Sequence, residues 1–305
     1  MKKKILIIGG TGFIGYHLAK KLLSKNYEVT SLSRNRPSII RKLNKVKYIY
    51  SDISNKKKIK NKIKKNYSYV VNLGGDVDHH GKDTFKSHFN GCKNLAEIFQ
   101  NSNIKRFIQM GSSVEYGKLR SPNSEEKNLV KGTSLLSIYA KAKFNSTSYL
   151  MKLFKSKKFP VTIFRLFLTY GPKQDANRII PFTILQCLKN KKFHCSRGTQ
   201  YRDFIYIDDV VNILFKSLNY KGAEGQIFNI CSNQPVQIKK VINLIKSKCK
   251  GGKPQFGSIL MRKDETRKLY GNLSKTSRFF KWKPKINLIN GLNKTIKYYE
   301  SNFKN

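Results

Sequence analysis

The chain has 305 residues, 39% of them hydrophobic and 26% charged, with 62 Lys and Arg against 17 Asp and Glu, a formal net charge of +45. That length and apolar content suffice for a full core in one large or two modest domains, and exclude a peptide, a collagen-like repeat and a membrane bundle. The positive charge is spread over the whole chain, is overwhelmingly Lys and comes with abundant Asn and Ile, a coding-bias pattern on a solvated surface that argues against a nucleic-acid partner.

In chain order, KILII (4–8) reads as a buried strand whose apolar run stops at Gly9, too short for the core of a secretory leader. A helix is predicted over Phe13 to Lys25, then strands at YEVTSL (27–32) and VKYIY (46–50). Lys56 to Lys65 carries Ile59 and Ile63 four apart among lysines, an amphipathic helix and not a basic tail. Strands at YVVNL (69–73), RFIQM (106–110) and VTIFRL (161–166) alternate with helices predicted over Thr84 to Asn101 and Ser134 to Lys157. Such alternation requires right-handed crossovers and a parallel sheet covered on both faces, a Rossmann-like, doubly wound α/β architecture. After about Tyr170 the rhythm loosens. A helix near Ile179 to Lys189, a hairpin-like stretch through Gly198, a helix near Asp208 to Leu218, a strand at Ile227 to Ile230, a Trp282-Lys-Pro284 turn and a closing helix from Gly291 follow. We divide the chain into residues 1–168, a dinucleotide-binding domain, and 169–305, a smaller substrate lobe, with interleaved boundaries. No stretch approaches the length of a membrane span. Five scattered cysteines without a C-x-x-C pair argue against a disulfide framework or zinc site, and point to reduced thiols in a cytoplasm.

Gly10-Thr11-Gly12-Phe13-Ile14-Gly15, preceded by Gly9, follows the first strand and opens the first helix, the context in which G-x-G-x-x-G signals a dinucleotide. The glycines permit a tight turn and close approach to a pyrophosphate, and the helix N-terminus supplies free N–H groups. The second strand ends in Ser33-Arg34-Asn35-Arg36, where a carboxylate would bind a free ribose 2′-hydroxyl; the two guanidiniums instead suit a 2′-phosphate, so NADP(H) is expected over NAD(H). Asp52-Ile53 would border the adenine, and Leu73-Gly74-Gly75 would let backbone approach the cofactor.

Tyr139 and Lys143 share one face of a predicted helix. An ammonium one turn from a phenol favours phenolate, as an acid/base acting on a hydroxyl requires. The Y-x-x-x-K spacing is weak alone, but Gly111-Ser112-Ser113-Val114-Glu115-Tyr116-Gly117 after the fifth strand adds a hydroxyl at the same sheet edge. His79, His80 and His88 lack partners at metal-ligand spacing and read as loop or helix residues, with Asp76 to His80 near the ligand.

Over nearly its whole length the sequence resembles the extended short-chain dehydrogenase/reductases of the nucleotide-sugar epimerase/dehydratase family. The resemblance rests on Gly9 to Gly15, the Ser112 region, Tyr139 with Lys143, Arg165 before Tyr170-Gly171-Pro172, Tyr201-Arg202-Asp203-Phe204 leading into Asp208-Asp209-Val210, and Trp282-Lys-Pro284. It implies that Ser112 orients a sugar oxygen, Tyr139 exchanges its proton, and Lys143 binds the nicotinamide ribose. It further implies that Arg202 and Arg262 hold the nucleotide diphosphate; pairing of Arg202 with Asp203 or Asp209 is the alternative. A homodimer using the Tyr139 helix is implied too. Ser113 and Val114 stand where the family's dehydratases have Asp-Glu, which argues against dehydration and leaves Ser113 as a substrate contact. Leu168 replaces an Asn common in the epimerases. The second half looks most like synthases that reduce CDP- or dTDP-linked 4-keto-6-deoxyhexoses, with a 4-epimerase as the alternative and a non-catalytic dinucleotide- or nucleic-acid-binding protein as a more distant one.

Overall fold

The computed structural model describes residues 2–64, 66–76, 81, 83–126, 135, 137–261 and 265–303. The first half runs β1 (Lys4–Ile8), α1 (Phe13–Leu23), β2 (Glu28–Ser33), β3 (Lys47–Tyr50), α2 (Lys56–Lys62), β4 (Tyr69–Asn72), a π turn (Lys86–Asn90) continuing as α3 (Gly91–Phe99), β5 (Arg106–Ser112), α4 (Ile138–Lys157) and β6 (Val161–Leu166). The second half runs β7 (Leu168–Tyr170), α5 (Ile179–Leu188), β8 (Lys192–Cys195), β9 (Tyr201–Tyr206), α6 (Ile207–Ser217), β10 (Gln226–Ile230), β11 (Pro235–Gln237), α7 (Ile238–Cys249), β12 (Lys253–Phe256), β13 (Lys268–Leu269), α8 (Ser274–Phe280) and α9 (Leu288–Phe303).

Seven parallel strands form the central sheet in the order β10-β6-β5-β4-β1-β2-β3. The order reverses between β1 and β4, which opens a crevice at the carboxyl ends of those strands, where open α/β sheets bind ligands. The core strands are apolar at nearly every position because helices cover both faces: Ile5, Leu6, Ile7, Val70, Val71, Phe107 and Ile108 are all fully buried. Residues 1–168 do not hold this sheet alone. The strand predicted at 227–230 lies on its edge, paired with β6 in register Ile227 to Ile163, so the chain returns to the first sheet after building part of the second lobe.

The second lobe contains a small sheet around β9, flanked by β7, β11 and β13, and a parallel pair of β8 with β12. The hairpin expected through Gly198 is absent, since β8 and β9 belong to different sheets. The intervening backbone packs on the start of α7 instead, where Lys239 N donates to Gly198 O at 2.9 Å. The helix expected from residue 134 starts at Ile138, with the Ser137 hydroxyl accepting from Ala140 N at 3.1 Å.

One buried carboxylate joins three of these elements. Glu115, fully buried just after β5, accepts from Ser112 N (2.7 Å), from Thr147 Oγ1 of α4 (2.8 Å) and from Arg165 Nε of β6 (3.1 Å). The Arg165 guanidinium also lies 4.5 Å from the Tyr116 ring centre, and Tyr116 donates to Asn229 Oδ1 of β10 at 2.7 Å. Burial works against the Arg165 charge, but Glu115 and Tyr116 outweigh it and hold that guanidinium above its ordinary pKa. Removing one member of such a pair leaves the other charge stranded. Glu115→Leu is therefore expected to lose about 3–5 kcal/mol of stability, and adding Arg165→Met to recover much of it, as read from urea midpoints. A loss of only about 1 kcal/mol, the worth of a surface pair, would contradict this reading.

Candidate active site

A single cavity of about 720 Å³ runs along the carboxyl edge of the central sheet and beneath the second lobe. At one end lie Gly9, Thr11, Gly12, Phe13, Ile14 and Gly15. A Cβ at Gly15 would sit 2.3 Å from Gly9 O and one at Gly10 2.4 Å from Ser31 Oγ, so only glycine allows α1 to start this close to β1 and β2. Gly10 accordingly packs behind the turn and does not itself line the cavity. Gly12 caps α1 without a side-chain bond, and the first amides of a helix have no intrahelical partner. The residues present thus fit a dinucleotide pyrophosphate, bound by backbone N–H groups and the positive end of the helix.

Ser33, Arg34, Asp52, Ile53, Leu73, Gly74 and Gly75 all line the same cavity. Arg34 is half-exposed and pairs with Asp76 at 3.3 Å. Arg36, expected beside it, is not at the cavity: its guanidinium lies 5.8 Å from the centre of the Tyr50 ring on β3. The chain bends at residues 34 and 35, just after β2 ends, and so turns Arg34 and Arg36 to different surroundings, which counting guanidiniums does not reveal.

Ser112, Ser113, Tyr139 and Lys143 line the middle of the cavity. β5 runs two residues past its expected end at Met110, so Ser112 is its last residue. It caps the short turn Ser113–Tyr116, accepting from Val114 N at 3.4 Å, and Glu115 returns a bond to its backbone. Tyr139 is half-buried in the first turn of α4. Lys143 is 4% exposed, donates to Met110 O of β5 at 2.8 Å and holds its ammonium 5.7 Å from the Tyr139 ring centre. The helical spacing thus brings phenol and ammonium to one face, and β5 fixes the ammonium. Cys92 lies close by, but burial pushes its thiol up to about 12, with Lys143 pulling it back, so it is no nucleophile near neutral pH.

At the other end the cavity meets Leu168, Ile179, Phe204, Leu269 and the ion pair of Arg202 with Glu265. Arg202 is 7% exposed and also donates to Tyr201 O at 2.7 Å. Its carboxylate partner is neither Asp203 nor Asp209. Asp203 accepts from Ser232 N, Ser232 Oγ and Asn233 N, and Asp209 from Lys285 N and Ile286 N, which ties the turn after Trp282 to α6. Arg262, His79 and His80 lie outside the described residues. The third of the histidines near 80, His88, is 5% exposed on the π turn and packs edge-on against Tyr139, with ring centres 4.9 Å apart. Neither His88 nor Glu265 was singled out from sequence for these contacts, which span 51 and 63 residues respectively.

A tether borders the cavity from the outside. Arg41, in the β2–β3 connection, pairs with Asp175 and donates to Lys173 O at 3.0 Å, while Asp175 and Gln174 face the cavity. Among the described residues no helix is long and apolar enough to cross a membrane, and no cluster of His, Cys, Asp or Glu is suited to a metal ion.

Known proteins agree with this architecture. The protein is 31% identical over 273 residues to a dTDP-D-glucose 4,6-dehydratase of Dictyostelium discoideum, a match covering 79% of this chain and 62% of that one. It is 26% identical to CDP-abequose synthase of Salmonella muenchen over 98% of this chain and 99% of the other. Among solved structures, UDP-glucuronic acid 4-epimerase from Bacillus cereus, in complex with UDP-glucuronic acid and NAD, superimposes with a TM-score of 0.86 at 25% identity, covering 98% and 99% of the two chains. Residues 5–231 match the NAD dependent epimerase/dehydratase family, and with most of the chain inside that match, including the glycine turn, Ser112, Tyr139 and Lys143, the protein belongs to that family.

Proposed function

We propose that the protein reduces the 4-keto group of a nucleotide-linked 6-deoxyhexose, CDP- or dTDP-linked, with a nicotinamide cofactor. The observation that carries this reading is the convergence of Ser112, Tyr139 and Lys143 on one cavity that begins at the glycine turn and ends at Arg202. When bound, the nicotinamide supplies hydride to a sugar carbon. Ser112 would orient the carbonyl oxygen, Tyr139 would give that oxygen its phenolic proton, and Lys143, held on Met110 O, would bind the ribose and favour the resulting phenolate. Arg202, released from Glu265 or shared with it, would meet the diphosphate, with Arg262 as its expected partner.

Three features support this reading. Ser113 and Val114 give the cavity no carboxylate beside Ser112, and Glu115, the next acid, is held inward by Arg165. That disfavours water elimination, although dehydratases are among the relatives. Leu168, Ile179 and Phe204 form an apolar wall suited to a methyl group. The synthase of Salmonella muenchen matches end to end, as the Bacillus cereus 4-epimerase also does. A 4-epimerase is the second reading, supported by the Bacillus cereus structure with its NAD. Net loss of reduced-nicotinamide absorbance upon adding a 4-keto-6-deoxy nucleotide sugar is the expected result; interconversion of sugars with no net cofactor change would replace reduction by epimerisation.

Tyr139→Phe is expected to lower kcat by about 10²–10⁴-fold while the cofactor still binds, and full turnover by that variant would refute the proton-transfer role. For the cofactor, we favour NADP(H), because β2 ends in Ser33-Arg34 without a carboxylate and Arg34 faces the cavity. The relative's bound NAD argues the other way. Arg34→Ala should weaken NADPH more than NADH in a fluorescence titration, whereas Arg36→Ala, at Tyr50, should leave the ratio near that of the parent; equal loss for both cofactors in Arg34→Ala would refute a role for Arg34 in choosing the cofactor.

A further inference from the structure

We infer that His88 is a positioning residue for Tyr139: its imidazole sets the orientation of the phenol that faces the substrate. This rests on the reading of Tyr139 as the proton donor. His88 is held from several directions. Its Nε2 lies 2.6 Å from Asp76 O, and because a carbonyl only accepts, Nε2 carries the proton. The neighbouring Asp76 N donates to Ser87 Oγ at 3.0 Å, and Ser87 Oγ donates to Thr84 O at 3.1 Å, so the π turn and the β4 loop grip one another. A Cβ at Gly75, whose φ is +131°, would lie 1.9 Å from His88 Cε1; the imidazole fills the space that any other residue at 75 would claim. The carbonyl of His88 accepts from Ser146 Oγ at 3.1 Å, on the same helix that carries Tyr139 and Lys143.

The fixed ring then meets Tyr139 at an interplanar angle of 77° with centres 4.9 Å apart, the edge-to-face geometry that aromatic quadrupoles favour. Tyr139 occupies the first turn of α4 and is half-buried, while Lys143, one turn on, is anchored to β5. The ammonium is therefore fixed by the sheet and the phenol by the imidazole. A π turn is an uncommon device, and here it brings a buried ring from 51 residues upstream to the acid/base. His88 acts through Tyr139: its ring makes the contact, and the Nε2 bond to Asp76 O holds the ring in place.

The test compares wild type, Tyr139→Phe, His88→Ala, His88→Gln and His88→Phe on whichever nucleotide sugar the wild type converts, with NMR of ring-labelled tyrosine and cofactor binding measured in parallel. His88→Ala and His88→Gln should lose kcat on the order of 10–100-fold, the cost of a small misplacement of a reacting group, with KM and cofactor affinity little changed. His88→Phe, which keeps a flat ring but loses the bond to Asp76 O, should fall between wild type and His88→Ala. The tyrosine signal that vanishes in Tyr139→Phe should shift in His88→Ala and His88→Gln. Wild-type kcat in His88→Ala, an unmoved Tyr139 signal, or a His88→Phe variant as slow as His88→Ala would overturn the proposal. If Tyr139→Phe stays fully active while its signal responds to His88, the proton-donor reading fails and the contact survives; if Tyr139→Phe is dead and His88→Ala is not, the reverse holds.

Discussion

The active cavity depends on a charge that never sees solvent. Glu115 sits at the junction of β5, β6 and α4 and receives a bond from each: the Ser112 amide, the Arg165 guanidinium and the Thr147 hydroxyl. Burying a carboxylate is tolerable only when its lone pairs are satisfied and its charge is matched, and here both conditions are met by groups on three separate elements. The end of the strand that carries Ser112 and the helix that carries Tyr139 and Lys143 are therefore referenced to one point. Catalytic geometry on the scale of tenths of an ångström needs supports of this kind, because side chains that touch a substrate cannot also be fully packed. Arg165 extends the support through Tyr116 to Asn229 on β10, so the strand returning from the second lobe joins the same network.

The chain is poor in acids, and where they are placed is informative. Glu115, Glu125, Asp203 and Asp209 are buried at joints between elements, and Asp175, Glu224 and Glu265 each engage an arginine. Few carboxylates remain to balance the lysines on the exterior, so the cavity is approached through a positive field that favours an anionic nucleotide over a neutral sugar. The cleft begins at a helix N-terminus and ends in Arg202, so it offers an anion-binding group at each end.

The architecture was legible because its causes are local. A strand covered on both faces must be apolar throughout, and a glycine turn into a helix shows in its spacing, as where Gly15 packs on Gly9 O; KILII followed by Gly9 to Gly15 shows both in plain order. Tyr139 and Lys143 were legible for the same reason, since helical spacing alone puts them on one face. Contacts over long separations were not. Arg202 finds Glu265 rather than the nearby Asp203 or Asp209, because those two carboxylates are already engaged by backbone amides of distant turns. Arg36 turns to Tyr50, and the loop through Gly198 rests on α7, for want of any local signal of where β3 or α7 would lie. His88 was the hardest to read, since three histidines without metal-ligand spacing carry no chemistry until the fold sets one of them beside a tyrosine.

The π turn at Lys86–Asn90 has a consequence for how this segment tolerates change in length. A widened turn holds one residue more than regular winding, and everything after it is rotated relative to everything before. Cys92, Leu95, Ala96 and Phe99 keep their apolar stripe under the sheet while His88 looks toward the crevice. Deleting one residue between 86 and 90 would restore ordinary winding with the stripe after it nearly in phase, and the residues inside the turn would take new facings. The imidazole, carried by the wide turn itself, would then lose its place, so deletion here removes His88 from the crevice while sparing the core.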